Sequence, residues 1–367
     1  MKTCGQMLAL GLFSVASVAL GQVWIQQITP HYGNLDQLAV DKKGNSIVSG
    51  WINAETNAPS FLVSFDVNGQ LRFSQQTTET VLLANVGPRF IGAETNVLFR
   101  ISEDGERRAL SPVQGNAILL QISACNEQSF VVLGLFSGSV RIGARSVVAP
   151  DVNSTFGFVA RVNRNGNAIW LTQLPTSRIV SIAGTRKGGA YVLGETFEVF
   201  ALNQHGKLSW SNSVSGNFYG GSVSIAADRL GRSYVAGYFR GHIETGAYSV
   251  TSIPGARTEA VMCALTSGGQ HSFAWTLNDY SVANAVTTDR SGNWYAGGWY
   301  DRDNLGDGYI TKNGKFGNEN SVSGVGIQYV QSLVATDDRT IYVAGVSYPD
   351  SEILSSGGAF VAKFKLP

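Results

Sequence analysis

One short phrase, a turn followed by a strand, recurs along this chain. It reads VDKKGNSIVSGW at 40–51, ADRLGRSYVAGY at 227–238 and TDRSGNWYAGGW at 288–299, and a shortened copy, TDDRTIYVAGVS, lies at 336–347. Each full copy has Asp at the first turn position and Gly at the fourth, which is typical of a type I turn capped by the Asp carboxylate. The Gly supplies the left-handed conformation that such a hairpin loop needs. The phrase therefore predicts a β-hairpin and its second strand, repeated several times.

A second kind of turn alternates with the first. It places a capping residue three positions before Gly, as in the segment DVNG at 66–69, and an aromatic residue often follows, as at Phe73, Trp170 and Trp210. Two hairpins make four strands, and a period of about 40–60 residues is the one expected of propeller blades. We therefore predict an all-β fold, a β-propeller with seven four-stranded blades. The predicted blades span approximately 36–76, 81–111, 117–175, 178–214, 222–278, 284–322 and 329–367.

The two ends of the chain complement each other. The last blade reads AFVAKFKLP, which matches the third strand of a repeat and stops where the second hairpin would begin. At the other end, QVWIQQIT at 22–29 resembles the fourth strand AIWLTQLP at 168–175, and no hairpin precedes it. We therefore predict that segment 22–29 completes the C-terminal blade. Residues 22–367 would then form one domain, a closed ring without an exposed sheet edge.

The N-terminus has the pattern of a secretory signal peptide. Lys2 precedes an apolar run over 7–19, and small residues lie at the cleavage positions around 19–21. This pattern predicts a signal peptide over 1–21, a mature chain that begins near Gln22, and no membrane insertion after cleavage. We expect the mature protein to be secreted, either to the extracellular medium or to the periplasm.

Charge and cysteine content limit the partners and the crosslinks. The chain has 27 Lys and Arg against 26 Asp and Glu, and loss of Lys2 with the signal peptide would balance the two signs. This balance gives no electrostatic basis for binding nucleic acid or an anionic membrane. We expect a monomer whose ligand is a glycan or a protein. Cys125 and Cys263 fall in blades that are not adjacent, which predicts buried free thiols rather than a disulfide.

Two longer segments carry a family resemblance. They are GLFSGSVRIGARSVVAPDVNSTFGFVARVNRNGNAIW at 134–170 and GYFRGHIETGAYSV at 237–250. Both resemble the SBBP repeat of secreted bacterial seven-bladed β-propellers, and the DxxGN-type turns are similar to those of NHL-like repeats. Blades two and four lack the F-x-G-x-x-x-x-G segment, and blade six has DRDNLGDGY in its place. The resemblance implies a secreted propeller and brings no catalytic residues.

Aromatic residues after the strand Gly are the candidate ligand contacts. They are Trp51, Tyr238 and Trp299, with Tyr300 beside the last. Flat rings near strand ends can stack on sugar faces, whereas large rings between blades belong to the core. Both interpretations stay open at this point.

One acidic segment is a candidate calcium site. Asp301, Asp303 and Asp307 lie around a Gly turn, and Ca²⁺ takes about 6–8 oxygen ligands. Leu305 and Lys312 stand where an EF-hand loop places oxygen ligands, so a solvated polar loop is the alternative interpretation. No cofactor other than this calcium is expected, because the sequence shows no zinc-site spacing, nucleophile elbow or phosphate loop.

These patterns favour a secreted, non-catalytic binding or scaffolding module for an extracellular or envelope ligand. One alternative is a propeller enzyme, either one that acts on polysaccharide or a quinone-dependent dehydrogenase, and another is a structural component of the cell envelope. In an enzyme, acidic residues such as Glu195, Glu244 and Glu259 would converge on the central channel. Two carboxylates about 5–9 Å apart at the channel mouth would favour an enzyme, and a bare, neutral channel would favour a binding protein.

Overall fold

The fold is made of antiparallel β-sheets. The computed structural model describes residues 21–28, 33–52, 60–255, 257–277, 280–301, 307–313, 319–323, 329–337, 340–349 and 356–365. Within these residues 29 strands form six sheets, and each strand is antiparallel to its sheet neighbours. The same residues contain no helix that is long and apolar enough to cross a bilayer.

Three of the six sheets have four strands in simple chain order. The first contains β2 (Gly33–Val40), β3 (Ser46–Ile52), β4 (Ser60–Phe65) and β5 (Leu71–Thr77). A later one contains β14 (Ile179–Gly184), β15 (Ala190–Gly194), β16 (Val199–Leu202) and β17 (Leu208–Asn212). Another contains β23 (Tyr280–Thr288), β24 (Trp294–Asp301), β25 (Asp307–Asn313) and β26 (Glu319–Ser323). Each such group of four strands is called a repeat below.

One sheet contains eight strands because a single strand serves two repeats. Its strands are β6 (Leu82–Val86), β7 (Arg89–Glu94), β8 (Val97–Ile101), β9 (Arg107–Asn126), β10 (Ser129–Ile142), β11 (Arg145–Val148), β12 (Phe156–Asn163) and β13 (Ala168–Gln173). Strand β9 pairs with β8 over 107–112 and with β10 over 113–126. The boundary that the sequence predicts between the second and third blades, at 111–117, therefore falls inside one continuous strand.

Two repeats carry an additional short hairpin. In the eight-stranded sheet, β11 pairs with the end of β10. The sheet of β18 (Phe218–Ala227), β19 (Ser233–Thr245), β20 (Tyr248–Thr251), β21 (Glu259–Leu265) and β22 (His271–Leu277) has the same feature, since β20 pairs with the end of β19. Both hairpins lie in the segments that resemble the SBBP repeat.

The turns of the repeated phrase join the first two strands of a repeat and are called first-hairpin turns below. They have the predicted conformation. The Asp41 carboxylate accepts hydrogen bonds from the backbone N–H groups of Lys43 and Asn45, at 2.8 and 2.9 Å. Asp228 and Asp289 bond the residues two and four positions further on in the same way. Gly44 has a φ of 86°, in the left-handed region. The sequence prediction of capped turns is therefore confirmed at these three sites.

The first strands of successive repeats lie side by side. The contacts run from β2 to β6, β9, β14, β18, β23 and β27, and β27 contacts β2 again. Side chains of one strand accept hydrogen bonds from the backbone of the next. Ser181 Oγ accepts from the N–H of Ile225 at 3.4 Å. Gln331 Oε1, on β27, accepts from the N–H of Leu35 at 2.9 Å and so links the end of the described chain to its beginning.

The outer strands make a second set of contacts between repeats. The indole N–H of Trp170 on β13 donates to the Gln204 carbonyl at 3.0 Å, and that of Trp210 on β17 donates to the Ser267 carbonyl at 3.0 Å. Both acceptors lie in the turn between the last two strands of the following repeat, which is called the second-hairpin turn below. Each indole also covers the Gly of that turn, where a Cβ atom would lie 2.6–2.7 Å from the ring. This arrangement is called the indole–turn contact below.

The N-terminal strand makes the same contact. Strand β1 (Gly21–Gln27) pairs with β29 (Ser356–Lys365), beside β28 (Thr340–Pro349) and β27 (Tyr329–Asp337), and Trp24 lies opposite Lys363. These are the two segments that the sequence predicts to pair. The Trp24 indole donates to the Val67 carbonyl at 3.0 Å, and the ring is 8% exposed. Strand β1 thus occupies the position that β13 and β17 occupy in their own repeats.

Replacement of Trp24 by Ala tests this contact. We expect Trp24→Ala to lower the free energy of unfolding by about 3–5 kcal/mol, as for other buried Trp side chains, because the indole packs against Phe65 and Tyr342 at ring distances of 6.1 and 6.0 Å. The measurement is denaturant unfolding followed by circular dichroism. The control is Gln26→Ala, a half-buried position on the same strand, which should change stability by less than about 1 kcal/mol. Equal effects would show that the indole does not hold β1 in place.

The turn Gly tests the same contact from the other side. Gly69 has a φ of 82°, and a Cβ atom there would lie 2.7 Å from the Trp24 ring. Gly255 has a φ of 91°, and a Cβ atom there would meet nothing within 4 Å. Gly255→Ala should therefore cost only the left-handed backbone strain, about 1–2 kcal/mol, and Gly69→Ala should cost clearly more. Equal losses in denaturant unfolding would contradict a tight indole–turn contact.

Candidate functional site

A central channel runs between the first strands of the repeats. It has a volume of about 600 Å³ and is lined by β2, β6, β9, β14, β18, β23 and β27. Its lining is polar but largely uncharged, with amides such as Gln37, Gln121 and Asn284. Asp36 is the one carboxylate among the described lining residues, and it accepts a hydrogen bond from Thr80 at 2.9 Å. Partial burial raises the pKa of Asp36, and the bond from Thr80 opposes that rise.

The channel opens at the end where the first-hairpin turns lie. There it widens into a cavity of about 1330 Å³, called the mouth below, whose lining includes turn residues of several repeats. A basic residue directly follows the capping residue in four of these turns. These residues are Lys42, Arg186, Arg229 and Arg290, and all four are exposed. Lys43, Arg161 and Lys363 line the mouth as well.

Three of the carboxylates that line the mouth cap their own turns. Asp41, Asp228 and Asp289 are 3–7% exposed, and each caps its own turn. Their second oxygens are also bonded, for example by the Tyr295 hydroxyl, which donates to Asp289 at 2.9 Å. The remaining carboxylate among the described lining residues, Glu127, is exposed and pairs with Lys42.

The exposed surface of the mouth is therefore predominantly positive. The hydrogen bond and charge of Lys42 lower the pKa of Glu127, and Arg290 adds to the positive field at that carboxylate. Arg186 and Arg229 form no ion pair with any carboxylate in the described part of the chain. Sequence reasoning missed this feature, although its signal is present: a Lys or Arg directly after the capping Asp or Thr in four turns.

The aromatic candidates lie elsewhere. Trp51 and Trp299 lie near the ends of β3 and β24 that are away from the first-hairpin turns, and Tyr238 lies in the middle of β19. None of the three lines the channel or the mouth. No ring contact joins any two of these three among the described residues. Trp299 packs between Tyr280 and Tyr329, at ring distances of 4.9 and 5.6 Å.

Tyr300, the fourth aromatic candidate, packs against the hydrophobic core. Its ring lies 6.4 Å from that of Tyr309, and the two rings are tilted by 55°. Tyr309 itself is 3% exposed. The structure thus places Tyr300, half-buried, against the core and not in the mouth.

The acidic candidates are only partly within the described residues. Asp301 ends β24 and Asp307 begins β25, whereas Asp303 lies outside the described residues. Where the chain is described, no group of three or more His, Cys, Asp or Glu side chains could hold a metal ion. A calcium site at Asp301, Asp303 and Asp307 stays a prediction.

The glutamates considered for an enzyme do not converge. None of Glu195, Glu244 and Glu259 lines the channel or the mouth. Glu244 lies on the β19 extension, with its carboxylate 3.3 Å from His242 Nε2. Glu259 is fully buried and accepts a hydrogen bond from the backbone N–H of Ile253.

The two cysteines are buried free thiols, as the sequence predicts. Burial raises the pKa of Cys125 and of Cys263 to about 12 in each case. Both thiols therefore stay protonated at neutral pH, and a protonated thiol is a poor nucleophile and metal ligand.

Comparison with solved structures defines the fold. The chain is similar to the β-propeller domain of Cps50 (Swd1) from Myceliophteria thermophila, known from a crystal structure, with a TM-score of 0.56 and 10% sequence identity. The similarity covers 95% of this chain and 100% of that chain. No family model and no curated protein matches the sequence. At this identity the likeness shows the fold alone, and this protein is a β-propeller.

Proposed function

We propose that this protein is a secreted, non-catalytic β-propeller that binds an extracellular or envelope ligand at the mouth of its channel. The observation that carries the proposal is the mouth itself, an open cavity of about 1330 Å³ to which the turns of several repeats contribute. Small-molecule sites are concave and typically measure about 300–1,000 Å³. The mouth is therefore large enough to take a small molecule, a short oligosaccharide or the end of a polymer.

The proposed architecture is a ring of seven SBBP-type blades. It treats the two halves of β9 as strands of two adjacent blades and β1 as the outer strand of the last blade. The contact between β27 and β2 supports this arrangement, and so does the Trp24 indole, which bonds Val67 as Trp170 bonds Gln204. In such a ring every blade has two neighbours that cover its faces.

The placement of the carboxylates favours binding over hydrolysis. Glycosidases need two carboxylates that face the substrate. In the mouth, Asp41, Asp228 and Asp289 are committed to the turns, and Glu127 pairs with Lys42. The described lining of the channel offers Asp36 alone. We therefore assign the mouth a recognition role.

Ligand screening tests the binding role. Residues 22–367 applied to arrays of glycans and secreted proteins should bind at least one ligand saturably. Gln128→Trp places a large side chain at an exposed position in the mouth and should lower the affinity about tenfold or more, as expected when several contacts of a site are blocked. Ser249→Trp, at an exposed position on the outer hairpin, is the control and should leave the affinity unchanged. A failure to bind, or binding indifferent to Gln128→Trp, would overturn the proposal.

Export is tested separately. The full chain expressed in a bacterium should appear outside the cytoplasm with a new N-terminus near Gln22, as measured by cell fractionation and intact-mass spectrometry. Leu10→Arg introduces a charge into the apolar run and should keep the chain in the cytoplasm with residues 1–21 attached. Parent protein found in the cytoplasm with those residues retained would contradict a secreted role.

A further inference from the structure

The charge of the mouth goes beyond what the proposed function requires. Four exposed basic residues occupy the equivalent position in four turns, so the same face of the ring presents a positive group from several repeats. A cleft that carries charge of one sign, between low-dielectric walls, concentrates ligands of the opposite sign. The chain as a whole is close to neutral, so this field is local to the mouth.

We propose that the mouth binds an acidic oligosaccharide, whose carboxylate or sulfate groups pair with Arg186, Arg229 and Arg290. This inference rests on the proposed function and names the ligand class of the same site. The planar guanidinium offers donors in a fork that matches two oxygens of one oxyanion. Arg186 and Arg229 have no carboxylate partner among the described residues, so a ligand would not have to displace an existing ion pair at either.

The rest of the lining suits a hydroxylated ligand. Asn85, Asn126, Gln128 and Thr336 add amide and hydroxyl groups that can bond sugar hydroxyls. Protein and peptide ligands are anchored mainly by aromatic and aliphatic side chains in apolar pockets, and single-stranded nucleic acids by stacking on exposed rings. Tyr342, the aromatic residue of the described lining, is 1% exposed. Recognition at the mouth thus depends on charge and hydrogen bonds.

Calorimetric titration with defined oligomers tests the ligand class. The probes are tetragalacturonate, the same tetramer fully methyl-esterified, a sulfated galactan tetramer and tetraglutamate. We expect tetragalacturonate or the sulfated tetramer to bind, and the comparison of these two shows which oxyanion is preferred. The affinity should fall as NaCl rises, because salt screens exposed charges beyond about 8–10 Å. The esterified tetramer should not bind.

A matched pair of variants tests the site. The triple variant Arg186→Gln, Arg229→Gln, Arg290→Gln should weaken binding about tenfold for each arginine that contacts the ligand, the usual loss for a charge-assisted hydrogen bond. The control triple variant removes the same charge at exposed arginines that do not line the mouth, and it should change the affinity by no more than about twofold. Its substitutions are Arg145→Gln, Arg178→Gln and Arg240→Gln.

Each contrary result has a separate meaning. Equal losses in the two triple variants, or equally tight binding of tetraglutamate, would overturn the assignment of an acidic glycan to these arginines. If the arrays instead yield a neutral glycan or a protein whose binding Gln128→Trp blocks, and neither acidic tetramer binds, the present inference fails and the proposed function stands. If nothing binds at all, the proposed function fails with it.

Discussion

The contact between an outer-strand indole and the turn of the following repeat is the interaction on which the arrangement of sheets depends. Trp24, Trp170 and Trp210 each donate a 3.0 Å hydrogen bond to the carbonyl of the second turn residue. Each ring also covers the turn Gly so closely that a side chain there would collide with it. A four-stranded sheet alone cannot bury both of its faces, and this contact fixes how the next sheet covers one of them. Trp24 lies on β1, which pairs with β29. The same contact therefore joins the sheet of β1 and β29 to the first repeat.

The first-hairpin turns contain positions whose side chains the fold does not require. In a first-hairpin turn the first residue supplies the capping carboxylate and the fourth supplies the left-handed backbone, as Asp228 and Gly231 do. The second residue has no such duty, and its side chain is exposed, as in Arg229 and Arg290. The fold therefore specifies the first and fourth turn positions and leaves the second, which lines the mouth, free to vary. In a set of such turns the exposed second residues can change without loss of stability.

Much of the fold could be predicted because its determinants are local. The Asp41 cap involves atoms within five consecutive residues, and the spare strand around Trp24 is recognised from its own residues. The continuity of β9 could not be predicted, because a strand shared by two repeats carries the same pattern as two separate strands. The mouth was missed for a different reason. Lys42, Arg186 and Arg229 lie far apart in sequence, and each alone looks like an ordinary exposed turn residue.

Net charge is a poor guide to this surface, for a reason visible in the turns. Asp41, Asp228 and Asp289 count toward the acidic total, yet each is buried and bonded to backbone N–H donors. The donors and partners of these carboxylates offset much of their field before it reaches the mouth. The basic residues beside them are exposed; Lys42 pairs with Glu127, whereas Arg229 forms no ion pair with a carboxylate among the described residues. A chain that is nearly neutral in sum can therefore present a positive site, because its acidic residues hold the fold and its basic residues face the solvent.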